Sequence, residues 1–174
     1  MIYHSSRDVT VEISAAEAIV KGLAGDGGLF VPEAIPRLSL DEIVALGDMS
    51  YSDRAANIIG LYLTDFRQNE LKECTQKAYN REKFETESIA PIYKLNEQTY
   101  ILELWHGPTC AFKDMALQLL PHLLTASLEK TGTDKTIAIL VATSGDTGKA
   151  ALSGFADVPG TKIFVFFPTG GTSE

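Results

Sequence analysis

Two cysteines and one tryptophan in 174 residues exclude more than they suggest. Cys74 and Cys110 are too few and too far apart for a disulfide framework, which fits a reducing compartment and a cytoplasmic protein. Basic charge is also scarce: the formal net charge is −8 and no lysine/arginine patch offsets it, so neither a nucleic acid nor an anionic membrane is expected as a partner. No apolar run approaches the roughly 20 residues needed to span a bilayer. Nor does the N-terminus show the charged-then-apolar order of a secretory signal. Metal ligands are sparse. Cys110 follows His106 at a spacing that could share a helix face, with His122 beyond, but no fourth ligand joins them and a proline turn opens the segment, so no metal site is expected.

What is present is an apolar content of 45%, enough to bury one substantial core with a small appended lobe. The first half reads as helical. Ser14 with Glu17 and Ser39 with Glu42 have capping-box spacing, and further helices are expected over 53–66 and 69–79. Gly25, Gly27 and Gly28 form a turn or, less simply, a phosphate cradle, and no helix starts directly after them. A polar stretch before Pro91 suggests a boundary that divides the chain into a mostly helical lobe, 1–90, and an α/β subdomain, 91–174. In the second part, strands are expected over 92–95 and 99–104, a long helix over 112–130, a buried strand to Ala142, a helix to Ala156 and a strand over 162–167. That order predicts an α/β fold with a mostly parallel βαβαβ sheet.

Two segments carry candidate chemistry. The first is His106-Gly107-Pro108-Thr109-Cys110-Ala111-Phe112-Lys113-Asp114, where a turn is expected to become a helix with Phe112, Met115, Ala116, Leu119, Leu120, Leu123 and Leu124 on one face. Lys113 lies beside that stripe near the positive helix end. Helix-end potential and partial desolvation both favour the free amine, making it a candidate nucleophile, although a solvated surface lysine would look the same in sequence. The second is Ala142-Thr143-Ser144-Gly145-Asp146-Thr147-Gly148, which follows the β-branched run 136–141. A turn rich in hydroxyls and glycine between a buried strand and a helix can bind a carboxylate or phosphate, or can simply cap the helix through Ser144 or Asp146.

Together these two segments resemble the signature stretches of threonine synthase. The blocks Tyr3-His4-Ser5-Ser6-Arg7 and 22–33 resemble the family's N-terminal segment, except that Asp8 stands where the family usually has Gly and a different turn is expected. The resemblance implies a pyridoxal-phosphate enzyme of fold type II, shared with tryptophan synthase β and cysteine synthase. It further implies a small-molecule substrate, O-phospho-L-homoserine, converted with water to L-threonine and phosphate. Lys113 matches the lysine that carries the cofactor as an aldimine and then moves protons at Cα and Cβ. Phe112 and Asp146 are implied on the cofactor side. Thr143, Ser144, Gly145 and Thr147 are implied as substrate-binding residues.

Family members are much longer, and their cofactor-phosphate loop comes after the point where this chain stops. The chain is therefore expected to be an N-terminal fragment of such an enzyme and inactive alone. Two alternatives stand beside this. One is a non-catalytic module with the same fold. The other is a P-loop nucleotide-binding protein, suggested by Gly145-Asp146-Thr147-Gly148-Lys149; it fails because Thr143 and Ala150 occupy positions that need a glycine and a hydroxyl.

Overall fold

The computed structural model describes residues 1–143 and 145–171. Its contacts separate into two units, Met1–Thr75 with Leu123–Asp134, and Gln76–His122 with Lys135–Glu174. A cut between 1–90 and 91–174 remains our proposal for how the chain would part into independently folding pieces, a property distinct from contact grouping.

In the first unit, β1 (Tyr3–Ser5) lies between β2 (Glu12–Ile13) and β3 (Phe30–Pro32) in an antiparallel sheet. The Asp8 carboxylate accepts hydrogen bonds from the Thr10 amide at 2.9 Å and hydroxyl at 2.6 Å, so the turn toward β2 is closed by a side chain. The glycine cluster is a turn. Gly27 has φ +78°, and the Asp26 carboxylate takes the Gly28 amide and the Ser5 hydroxyl, so the protein's own carboxylate occupies the donors a phosphate would need. Both capping boxes form, at α1 (Ala15–Lys21) and α2 (Leu40–Ala45). α3 (Tyr51–Gly60) starts from a Ser50 cap and stops earlier than the apolar pattern to Phe66 suggested, while α4 (Gln68–Ala78) follows the expected span. Ala15, Ala16 and Ala56 pack with Leu63, Phe66 and Leu71 to form this unit's core, small side chains allowing close backbone approach.

In the second unit, β4 (Ile92–Lys94) pairs antiparallel with β5 (Tyr100–Leu102), whereas β6 (Ile137–Ala142), α7 (Asp146–Phe155) and β7 (Thr161–Phe166) make a parallel βαβ unit. The α/β class holds. The extent of the sheet does not: among the described residues β4 and β5 pair only with each other, so the parallel part is a single βαβ unit. β6 is not covered on both faces either, since its residues alternate between half-buried and exposed.

The long helix expected over 112–130 is two helices, α5 (Asp114–Leu117) and α6 (Leu120–Thr131). Pro121 explains the break. It has no amide hydrogen to give the Leu117 carbonyl, and its ring would clash there, so the chain turns at Gln118–Leu119 and restarts with proline in the first turn of α6. The buried side of this segment also differs from the apolar stripe. Phe112, Ala116 and Leu120 are exposed, while Asp114, Gln118, Leu119, Pro121 and Leu124 are buried.

Candidate functional site

Lys113 stands at the cap position of α5 in helical conformation, with φ −63° and ψ −21°. It is half-buried, and its Nζ lies 4.5 Å from the centroid of the exposed Phe112 ring, so the ammonium is held over an aromatic face. Among the described residues no carboxylate lies within ion-pair distance of it. The expected helix-end potential is weaker than a long helix would supply, because α5 has only four residues.

The turn leading to Lys113 is tightly closed. Cys110 adopts a left-handed φ of +58°, with its amide bonded to the Gly107 carbonyl at 3.1 Å. Asp114, next after the lysine, is completely buried. One of its oxygens accepts from the Thr109 amide at 2.8 Å and the other from the Thr109 hydroxyl at 2.7 Å. Gly107 sits directly on that carboxylate, where a β-carbon would come within 2.6 Å of Oδ2. The sequence does not mark Asp114, because a charge beside a lysine reads as surface and no pattern around it signals burial.

The second segment follows β6. Gly145 caps α7 without a side-chain hydrogen bond, so Asp146 is the first helical residue and not the cap; Ser144, the other capping candidate, lies outside the described residues. Asp146 and Gly145 are exposed, and Thr143 and Thr147 are half-buried. The Thr143 hydroxyl accepts from the Gly145 amide at 3.3 Å, and the Gly148 amide donates to the Gly145 carbonyl. An exposed carboxylate in the first turn is compatible with the positive end of this ten-residue helix. Gly148 is buried against Thr143 and Val165, leaving no space for a β-carbon.

The two segments are brought together through their helices, not their side chains. α5 packs on α7: Gly154 lies against the Leu117 carbonyl, and next to it the Gln118 side-chain Nε2 donates to the Ser153 hydroxyl at 3.3 Å. The Tyr79 hydroxyl donates to the Met115 carbonyl at 2.6 Å, satisfying an acceptor left open by so short a helix. No hydrogen bond or ion pair joins Lys113 to Thr143, Gly145, Asp146 or Thr147 among the described residues.

The histidines have other commitments. His106 Nε2 is 2.6 Å from Glu103 and its Nδ1 is 3.6 Å from Glu85; the hydrogen bond to Glu103 leads the effects that raise its pKa above the ordinary value. His122 is pulled down to about 4 by burial and by Lys83 and Lys77. No three His, Cys, Asp or Glu side chains converge as a metal site among the described residues, and no described helix is long and apolar enough to cross a membrane.

Residues 2–79 match the family model described as threonine synthase N terminus. A threonine synthase from Methylobacillus glycogenes is 39% identical over 175 residues, covering 97% of this chain and 36% of that protein. Human threonine synthase-like 1 is 40% identical over 167 residues, covering 91% of this chain and 22% of that protein. Among solved structures, PLP-bound threonine synthase from Brucella melitensis aligns with a TM-score of 0.90 at 34% identity, covering 99% of this chain and 37% of that one. The yeast threonine synthase aligns with a TM-score of 0.89 at 35% identity, covering 99% and 36%. The chain thus spans about a third of the length of the threonine synthases it matches.

Proposed function

We propose, from the premise that this chain belongs to the threonine synthase family, that it is the lysine-bearing part of a pyridoxal-phosphate-dependent lyase. That enzyme would convert O-phospho-L-homoserine and water to L-threonine and phosphate, in cytoplasmic threonine biosynthesis. The observation that carries the reading is Lys113 itself: a half-buried amine at the end of a clamped turn, without a carboxylate partner among the described residues. With no carboxylate or hydrogen-bond partner in place, the nitrogen is sterically free to meet a carbonyl. The donor set around it therefore fits the aldehyde end of pyridoxal phosphate.

When bound, the cofactor supplies the electron sink that allows protons to leave the amino-acid carbons. Lys113 is its anchor and, once released, the base that moves protons at Cα and Cβ of the substrate. Phe112 offers an aromatic face at the lysine nitrogen and limits water there. The backbone and hydroxyls of Thr143, Ser144, Gly145 and Thr147 bind the substrate carboxylate. Asp146, which would repel that carboxylate, orders the loop or faces the cofactor. We assign no residue here to the cofactor phosphate, and propose that the 174-residue chain alone does not turn over.

The test is to incubate the chain with pyridoxal phosphate, reduce with borohydride and map the pyridoxyl group by mass spectrometry. Lys113 should be labelled in preference to exposed lysines such as Lys94; an even distribution would overturn the assignment. Phosphate release from phosphohomoserine is then followed in the longer polypeptide containing this sequence. Selective labelling without release there would favour the alternative of a non-catalytic module.

A further inference from the structure

We propose that Asp114 is a positioning residue for Lys113, holding the lysine's turn in place through Thr109. The proposal rests on the assignment of Lys113 to the cofactor. Asp114 has no exposed surface, and burying a carboxylate is costly unless every oxygen is satisfied. Here both oxygens are satisfied by one residue, Thr109, through its amide at 2.8 Å and its hydroxyl at 2.7 Å. The loop between them contains Cys110, Ala111, Phe112 and Lys113, so the carboxylate ties the beginning of the lysine's turn to its end. Gly107 closes the arrangement from outside, because a β-carbon there would meet Oδ2 at 2.6 Å and the Asp114 Cβ at 2.7 Å.

The position of the clamp matters more than its strength. The Lys113 side chain makes no capping bond, and no hydrogen bond or ion pair reaches its nitrogen among the described residues; that nitrogen lies over the exposed Phe112 ring. Its carbonyl accepts the Ala116 and Leu117 amides at 3.2 and 2.9 Å, so its backbone is tied only to one-turn α5 and is placed by whatever holds that turn. Asp114 follows it directly, its carboxylate is bonded back across the turn to Thr109, and its backbone carbonyl accepts the Gln118 backbone amide at 3.0 Å. A one-turn helix cannot fix its own first residue, since helix nucleation is unfavourable and α5 never propagates. The side chain that bridges Thr109 and α5 takes over that task. Asparagine could do the same without charge, its oxygen accepting the Thr109 amide and its NH2 donating to the Thr109 hydroxyl.

The experiment compares Asp114→Ala, Asp114→Asn, Thr109→Val and Thr109→Ser in the full chain. Two quantities are read in each: the share of reduced pyridoxyl label on Lys113 relative to Lys94, and the rate and pH profile of Lys113 acetylation by acetic anhydride, which needs no cofactor. Asp114→Ala should lower the label share at least about tenfold, because misplacing a reacting group by ~1 Å can cost up to ~100-fold. Thr109→Val should lower it less, having lost only the hydroxyl bond. Asp114→Asn and Thr109→Ser should stay within about twofold of the unsubstituted chain, since both keep the two hydrogen bonds. If Asp114→Ala does not fold, Thr109→Val decides. Folded variants without the clamp that keep an unchanged share, or Asp114→Asn as damaged as Asp114→Ala, overturn the proposal. If the unsubstituted chain shows no preference for Lys113, the cofactor assignment is what fails. The acetylation profile then decides the clamp alone: identical profiles with and without the Asp114 carboxamide or carboxylate would overturn positioning as well.

Discussion

The carbonyl of Leu117 fills the space into which a β-carbon on Gly154 would project. α5 and α7 consequently meet backbone to backbone, and the helix after the lysine is seated on the helix after the second candidate loop. Gly154→Ala should lower stability by about 1–2 kcal/mol. Alanine gains roughly 1 kcal/mol of helix propensity, but overpacking costs ~1–3 kcal/mol, and against a backbone atom, which cannot rotate aside, it falls in the upper part of that range, about 2–3 kcal/mol. A urea midpoint that stays level or rises would show that the two helices can separate without penalty.

Lys113→Ala should remove both cofactor anchor and proton carrier, reducing phosphate release by the longer enzyme below detection while leaving the circular dichroism of the chain unchanged. Among the described residues no hydrogen bond or ion pair reaches the Lys113 nitrogen, so its loss leaves no such partner unsatisfied. Near-normal turnover in that variant would end the proposed role.

How much of this was legible in sequence depended on range. The boxes of Ser14 with Glu17 and Ser39 with Glu42 were readable because cap and partner are three residues apart. The two halves of the lysine helix were read as one because an i, i+3, i+4 count is blind to the missing amide of Pro121. β6 has the composition of a strand covered on both sides, yet apolar sequence does not state what covers it. The Asp114 clamp was invisible for a related reason: burial of a charge is decided by the Gly107 and Thr109 turn folding over it.

The loop after β6 can be dissected through substrate affinity. If its hydroxyls bind the substrate carboxylate, Ser144→Ala and Thr147→Val should each weaken KM by an amount on the order of 1–3 kcal/mol while cofactor binding changes little. Unchanged KM in both variants would leave the loop as a plain start to α7.

His122 should give the chain an acid-sensitive limb. Its folded pKa is held down to about 4, by burial first and then by Lys83 and Lys77, against an ordinary 6.5. The unfolded chain therefore takes up a proton before the folded one does, so this contribution is complete above pH 6.5 and is lost as pH falls toward 4. Its Nε2 has no hydrogen-bond partner among the described residues, so removing the ring breaks no such bond at that atom. His122→Leu should flatten the fall in denaturant midpoint between pH 6.5 and 5, above the range where carboxylates titrate. An identical slope in both proteins would place the sensitivity elsewhere.

The last expectation concerns the open face of the β6–β7 pair. Leu140 is aligned with Phe164 and Ala142 with Phe166 in the parallel register. Leu140 is 69% exposed, Phe164 50% and Phe166 62%, so one side of the ladder is a contiguous apolar strip. Scattered exposed hydrophobic residues are ordinary, but a strip on a two-stranded ladder, with each strand unpaired on its outer side among the described residues, offers both a sticky face and free backbone groups. The purified chain should therefore associate reversibly as its concentration rises, which sedimentation velocity would register as a shift from monomer to larger species. Leu140→Glu with Phe164→Lys puts opposite charges at directly paired positions, removing the strip while allowing a cross-strand attraction worth roughly 0.2–1 kcal/mol. That double variant should remain monomeric at concentrations where the unsubstituted chain associates, with its circular dichroism retained. Equal association by both proteins would mean that another surface drives it.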